Sequence, residues 1–138
     1  PVVDTAGREL GRHRGLHRFT VGQRRGINCP GPEPYYVVRL DHRQNRLVVG
    51  PRRESLRAGC RVEDVNWIRP PEDLPLELFV QLRYRHRPVA CRVEREPEGG
   101  LRVTFAEPQA AVSPGQGAVF YRDDEVLGGG WIAPERDA

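Results

Sequence analysis

From Leu76 to Tyr84 every second residue is apolar: Leu76, Leu78, Val80, Leu82 and Tyr84 share one parity, and Glu77, Gln81 and Arg83 fall on the other. Successive side chains of a strand point to opposite faces, so this run predicts a strand over Leu76 to Arg85 that buries one face and turns Arg83 outward. Similar segments recur at Arg61 to Ile68, Val89 to Arg95, Leu101 to Phe105, Ala110 to Val112, Gly117 to Tyr121 and Val126 to Ile132. Each is short, rich in β-branched or aromatic residues, and bounded by turn signals such as Pro70-Pro71 or Glu98-Gly99-Gly100. No long amphipathic helix pattern competes with them. The expected fold is mainly β, with roughly six strands of the second half closing into a small antiparallel barrel.

The first part reads as a smaller β-rich domain. Val2-Val3 predicts a short strand, and Tyr35 to Leu40 with Arg46 to Gly50 predicts a hairpin across Asp41 to Asn45. Pro51 to Gly59 reads as a loop or a single helical turn, which puts the domain boundary between residues 1–58 and 59–138. A chain of 138 residues can bury one moderate core or two small ones. It starts at Pro1 and holds no Met, so it is expected to be a piece of a longer protein. It has no apolar run of membrane-spanning length and no secretory signal pattern.

Charge points to one segment in particular. The formal net charge is +3 with a pI near 9.1, and all 22 basic residues are Arg, which permits a polyanion partner without demanding one. Between Gly15 and Gly26 lie His17, Arg18, Arg24 and Arg25, together with the apolar run Phe19 to Val21. That run predicts a strand delivering a basic tip, because Gly22 and Gly26 bracket Gln23-Arg24-Arg25 and let the backbone turn tightly. Two arginines and a glutamine offer planar donors that suit phosphate, and the same residues fit a solvated surface loop equally well.

Self-sufficient catalytic chemistry is missing. No P-loop, dinucleotide fingerprint, nucleophile elbow or metal-binding cluster occurs. Cys29, Cys60 and Cys91 are an odd, widely spaced set that fits neither zinc nor a disulfide framework and suits a reducing cytoplasm. Cys91, alternating with Val89 and Val93, reads as a packed strand residue. His13 and His17 have the spacing of a helical metal pair, but Gly11 and Gly15 argue against a helix there. Gly128-Gly129-Gly130 has no following helix to make it a phosphate cradle, so a bulge or close strand packing is expected instead.

Several ordered motifs carry a resemblance. Gly15 to Ile27 (Gly-Leu-His-Arg-Phe-Thr-Val-Gly-Gln-Arg-Arg-Gly-Ile), Pro34 to Val38 and Asn45 to Gly50 are followed by Val65 to Ile68, Arg83-Tyr84-Arg85, Phe105 to Val112, Ser113-Pro114-Gly115-Gln116 and Leu127 to Ile132. In this order they resemble the central and C-terminal domains of the bacterial tRNA-specific 2-thiouridylase family. The resemblance implies a parent sulfurtransferase that adenylates the wobble uridine of tRNA with ATP and Mg and then transfers persulfide sulfur. It also implies that the ATP loop, both catalytic cysteines and the docking site of a sulfur-relay donor protein lie in an N-terminal domain upstream of Pro1. This chain would then carry no catalytic residue and no cofactor, would be inactive alone, and would serve as the tRNA-binding part of a cytoplasmic, monomeric, membrane-free enzyme.

Carried over residue by residue, the family's tRNA contacts fall on Arg83, Tyr84 and Gln116. Arg83 suits a phosphate, and the Gln116 amide on its Pro-Gly turn offers a donor and an acceptor to a ribose or base. Tyr84 shares the apolar face and could serve as core and RNA platform together. Ser113 stands where the family more often has Thr, and keeps the hydroxyl. Gln23, Arg24 and Arg25 remain candidates for contact with RNA or with the upstream domain. The rival reading is a free-standing β-barrel interaction module that binds protein or another polyanion.

Overall fold

The computed structural model describes residues 1–71, 73–74, 76–83 and 87–135, which form two compact units, Pro1–Leu56 and Arg57–Ala138. The first unit is built on a four-stranded sheet of β1 (Val2–Val3), β2 (Glu9–Gly11), β3 (Tyr36–Asp41) and β4 (Arg46–Gly50), in the order β2-β1-β4-β3. β3 and β4 form the hairpin expected from their patterning, and β1 lies parallel to β4 and antiparallel to β2. β4 is buried on both faces. Leu47 and Val49 join Val2 and Val37 in one cluster, while Val48 packs with Val3 and Val38 in another.

The first cluster is completed by Leu16 and Ile27, with Phe19 packed against it, so the segment between β2 and β3 covers the sheet through its apolar side chains. No strand forms at Phe19 to Val21, contrary to the sequence expectation. A single 3₁₀ turn, Leu16–Arg18, precedes Phe19, and turns centred on Val21-Gly22 and Arg25-Gly26 follow. The segment still meets the sheet: the Gly22 N–H donates to the Val37 carbonyl and the Val37 N–H donates to the Gln23 carbonyl, both at 2.8 Å. A two-residue contact at the edge of β3 replaces a ladder, because Gly22 at φ 92° turns the chain away before a strand can extend.

A single helical turn, α1 (Arg52–Ser55), ends the first unit, and β5 (Arg57–Trp67) opens the second. β5, β6 (Leu76–Gln81), β7 (Val89–Arg95), β8 (Leu101–Gln109), β9 (Gly117–Arg122) and β10 (Glu125–Ala133) close into a barrel in the order β10-β5-β8-β7-β6-β9. All neighbouring pairs are antiparallel, as expected, and closure leaves no open sheet edge. The inward parity read from the sequence fills the core: Leu78, Val80 and Leu82 from the β6 segment, Cys91 and Val93 from β7, and Phe120 from β9. Phe120 is fully buried and stacks on Trp67 with ring centroids 5.5 Å apart.

Two further expectations change. Ala110 to Val112 is not a strand: β8 runs on to Gln109, and Ala111 then takes φ 58°, a left-handed conformation that breaks the extended run. β5 starts four residues before Arg61 and takes in Gly59, where a Cβ would lie 2.3 Å from the Val103 carbonyl oxygen of β8. The triple glycine does serve close strand packing. A Cβ at Gly128 would meet the Asn66 carbonyl oxygen at 2.5 Å, and the β5–β10 register shifts between Gly129 and Trp131.

Candidate nucleic-acid interface

The β6–β9 ladder ends at Gln81 paired with Val119, so Arg83, just past β6, and Gln116, just before β9, leave the barrel at the same rim. Arg83 is exposed, and its Nη1 donates to the Ala110 carbonyl at 3.0 Å, which ties it to the loop that leads from β8 to Gln116. It makes no ion pair among the described residues. Its charge is therefore held at the rim by one neutral contact.

Gln116 closes a tight turn. Its N–H donates to the Ser113 carbonyl at 3.3 Å across Pro114 and Gly115, and Gly115 sits at φ 91°. Proline at the second and glycine at the third position of a four-residue turn is the pattern of a type II turn, which needs a positive φ at the third. Two bonds of 2.8 Å pin the turn to β10, from the Gly115 N–H to the Ile132 carbonyl and from the Ile132 N–H to the Gln116 carbonyl. The side-chain Oε1 of Gln116 is buried and accepts no hydrogen bond among the described residues. An amide oxygen left in that state costs about 1–3 kcal/mol, and a donor from outside reaches it only once the side chain turns outward. Tyr84 lies outside the described residues.

Sequence reasoning passed over two features of the barrel. Trp131 pairs across the ladder with Gly117 and is 57% exposed; it lies within ordinary contact, 3.8 Å, of where a Cβ on Gly117 would sit. Its signal was a tryptophan at the outward parity of a strand. Arg61, by contrast, is only 4% exposed: its Nη1 donates to the Pro134 carbonyl at 2.7 Å, its Nη2 bonds Glu63, and its Nε lies 3.6 Å from Glu96. Beside it Arg102 reaches both carboxylate oxygens of Glu135, at 2.8 and 2.6 Å, and this contact holds the Glu135 carboxyl below its ordinary range. These two arginines fasten the end of β10 to the barrel and are not available to a ligand.

The opposite rim carries an open hollow of about 350 Å³ lined by Arg69, Asp73, Leu76, Arg122, Glu125 and Leu127. Arg69 and Glu125 pair there at 3.4 Å. It has no part in the Arg83–Gln116 rim.

In the first unit the structure separates the three candidates of the Gly15–Gly26 stretch. Gln23 is spent within its own loop: its Oε1 accepts from the Thr20 N–H at 3.1 Å and its Nε2 donates to the Arg25 carbonyl at 2.7 Å. Arg24 and Arg25 are exposed on the loop that this amide braces. His13 pins the start of the segment, its Nδ1 accepting from the Gly15 N–H at 3.0 Å and its Nε2 donating to the Asn45 carbonyl at 2.9 Å. Among the described residues no group of three His, Cys, Asp or Glu side chains could hold a metal ion. Cys60 and Cys91 are buried, and burial pushes both thiols up to about 12.

Two family models match the chain and define its class: one described as the aminomethyltransferase beta-barrel domain over residues 57–132, the other as the tRNA methyl transferase PRC-barrel domain over residues 1–51. Similar proteins include the tRNA-specific 2-thiouridylase MnmA of Pelobacter propionicus, 50% identical over 131 residues, which covers 95% of this chain and 37% of that protein. The same protein of Chloroflexus aurantiacus is 50% identical over 135 residues, 96% of this chain and 37% of its own length. That of a Synechococcus species is 45% identical over 132 residues, 95% of this chain and 37% of its own length. The chain belongs to the tRNA-specific 2-thiouridylase family and matches the C-terminal portion of its members. It spans a little over a third of the length of the relatives it matches.

Proposed function

We propose that this chain is the tRNA-holding portion of a tRNA 2-thiouridylase, with the barrel rim of Arg83 and Gln116, together with Tyr84, as its RNA contact. The observation that carries the reading is the exposed Arg83, which makes no ion pair among the described residues, at the same rim as the Gln116 turn pinned to β10. With its side chain turned outward, the Gln116 amide meets a ribose hydroxyl or a base N–H, and a phosphate supplies the anion for Arg83. Neither contact carries out chemistry; both orient the RNA.

In this reading the whole protein adenylates the wobble uridine with ATP and Mg and then transfers persulfide sulfur, in the cytoplasm and as a monomer, receiving sulfur from a relay protein. Those steps belong to the part of the protein outside these residues. The present residues do not fit ATP, because Gly128-Gly129-Gly130, the one glycine-rich run, lies against the backbones of its two neighbouring strands with no room for phosphate. The boundary between a central domain and the barrel is placed at residues 58 and 59. Gln23, Arg24 and Arg25 form a second surface that meets RNA or the catalytic part of the protein, with Arg24 and Arg25 as its contacting groups.

Arg83→Ala and Gln116→Ala test the rim. Each is expected to weaken tRNA binding by about 1–3 kcal/mol, and only the Arg83 change flattens the salt dependence, by about one unit of slope. Two variants that fold and bind tRNA like the parent at every salt concentration would remove the barrel rim as the RNA contact.

A further inference from the structure

Charge is divided unevenly along the chain. Residues 1–56 hold eleven arginines against five carboxylates and residues 57–138 hold eleven against fourteen, so the first unit carries a formal +6 and the barrel unit −3. A net charge of +3 hides this split. The barrel rim that contacts RNA in the proposed function thus belongs to a net-negative unit, and the long-range attraction for a polyanion comes from elsewhere.

Within the first unit the charges segregate again. Between Glu9 and Glu33 there is no Asp or Glu, while Arg12, Arg14, Arg18, Arg24 and Arg25 all fall in that interval. All five are exposed, and none pairs with a carboxylate among the described residues. Of the other six arginines of the unit four do pair, Arg8 with Asp4, Arg39 and Arg46 with Asp41, and Arg53 with Glu33, while Arg43 and Arg52, outside the interval, pair with no carboxylate among the described residues. The cause lies in how the segment folds. Leu16, Val21 and Ile27 are buried, so its apolar side chains are spent on the core and its cations are left to solvent.

Like charges kept together without counter-ions repel one another and destabilise the compact state, so the arrangement is favourable when an extended anion shares the surface. The segment is also held in place. His13 anchors its start to Asn45, and the Gln23 amide and the Val37 bonds fix the Arg24–Arg25 turn. Guanidinium groups on a braced backbone suit the oxygen pairs of phosphodiesters, and an ordered presentation lowers the entropy cost of each contact.

We propose that Arg12, Arg14, Arg18, Arg24 and Arg25 form a phosphate-binding strip that supplies most of the electrostatic attraction between this chain and the RNA backbone. The inference rests on the RNA-holding reading and moves the bulk of the electrostatics from the barrel to the first unit. The strip reads no sequence. Its contribution is the same for a tRNA and for an unrelated RNA of equal length.

The test measures the dissociation constant of the 138-residue chain for an unmodified tRNA transcript between about 50 and 200 mM salt. Compared with the parent are the triple change Arg12→Ala, Arg14→Ala, Arg18→Ala, the double change Arg24→Ala, Arg25→Ala, and the same five positions changed to Lys. The triple variant is expected to flatten the log–log slope by about two units and weaken binding at least about tenfold at low salt, and the double variant to flatten the slope by about two thirds as much. The Lys variant keeps the parent slope, which separates charge from folding. Alanine variants that retain the parent slope and affinity overturn the strip. So does a Lys variant that loses the slope, or a full-length enzyme whose turnover falls while its tRNA affinity holds, since the arginines would then brace protein. A parent chain that binds no tRNA at the lowest salt instead sinks the RNA-holding reading itself; tRNA binding lost on Arg83→Ala but indifferent to the strip sinks the strip alone.

Discussion

Arg61→Met separates an arginine that builds the barrel from those that face a ligand. Arg61 is almost fully buried and loses three contacts on substitution: the Pro134 carbonyl, Glu63, and Glu96 at 3.6 Å. The carboxylates are not stranded. Glu63 keeps a side chain that is 46% exposed and can hydrate, and Glu96 retains Arg102 at 3.1 Å. The cost is therefore smaller than the 3–5 kcal/mol of breaking a wholly buried pair, and comprises a charged hydrogen bond of about 1.5 kcal/mol plus a half-exposed ion pair of about 0.5 kcal/mol. About 2 kcal/mol corresponds to a fall of roughly 8–16 °C in the midpoint of a domain of this size. Trp67 and Trp131 both lie in the barrel unit, so tryptophan emission during a thermal scan reports that unit alone. Below the transition, tRNA affinity should match that of the parent. A midpoint shift under about 4 °C, or a higher midpoint, would mean that desolvating Arg61 cancels its bonds and would refute the reasoning.

Gly128→Ala should lower the same midpoint by an amount equivalent to about 2 kcal/mol, because its Cβ would meet the Asn66 carbonyl oxygen at 2.5 Å and the Trp67 Cα at 2.9 Å, both backbone atoms that move only if β5 and β10 part; an unchanged midpoint would show that the strands tolerate separation. Cys60 and Cys91 should resist alkylation near pH 8 until the chain is unfolded, since burial keeps both thiols protonated up to about 12, and Cys29, raised by burial but partly exposed, should react first. With folded values above the ordinary 9.0, the unfolded chain ionises first as pH rises, so the stability that these thiols contribute is complete below pH 9 and declines toward pH 12. Equal labelling of all three in the folded chain, or stability flat over that range, would contradict their placement.

The barrel was legible because its strands obey a two-residue period that burial enforces, as Leu78, Val80 and Leu82 illustrate. Where the period failed to predict, local backbone geometry decided. Phe19-Thr20-Val21 has strand-like residues but sits between a 3₁₀ turn and Gly22, and Ala110-Ala111-Val112 is interrupted by the left-handed Ala111. β2 was missed because Glu9-Leu10-Gly11 has too few residues to show a pattern at all. At the rim, Arg83 and Gln116 were singled out by resemblance, and their common location follows from the β6–β9 register, which no spacing in the sequence reveals. Side-chain commitments were the least legible of all: nothing in the residue order distinguishes Arg61, spent on the end of β10, from Arg12 or Arg24, which face solvent, or shows that the Gln23 amide is used up within its own loop.

The central claim is that this chain holds tRNA without modifying it, and the most direct measurement combines binding and chemistry on one sample. The 138-residue chain is titrated into an unmodified tRNA transcript at several salt concentrations, and the same mixture, supplied with ATP, Mg and a sulfur donor, is assayed for sulfur on the wobble uridine. The account predicts measurable binding whose logarithm falls linearly with the logarithm of salt, and no thiolation. Thiolation by this chain alone, or no binding even at the lowest salt, would contradict it.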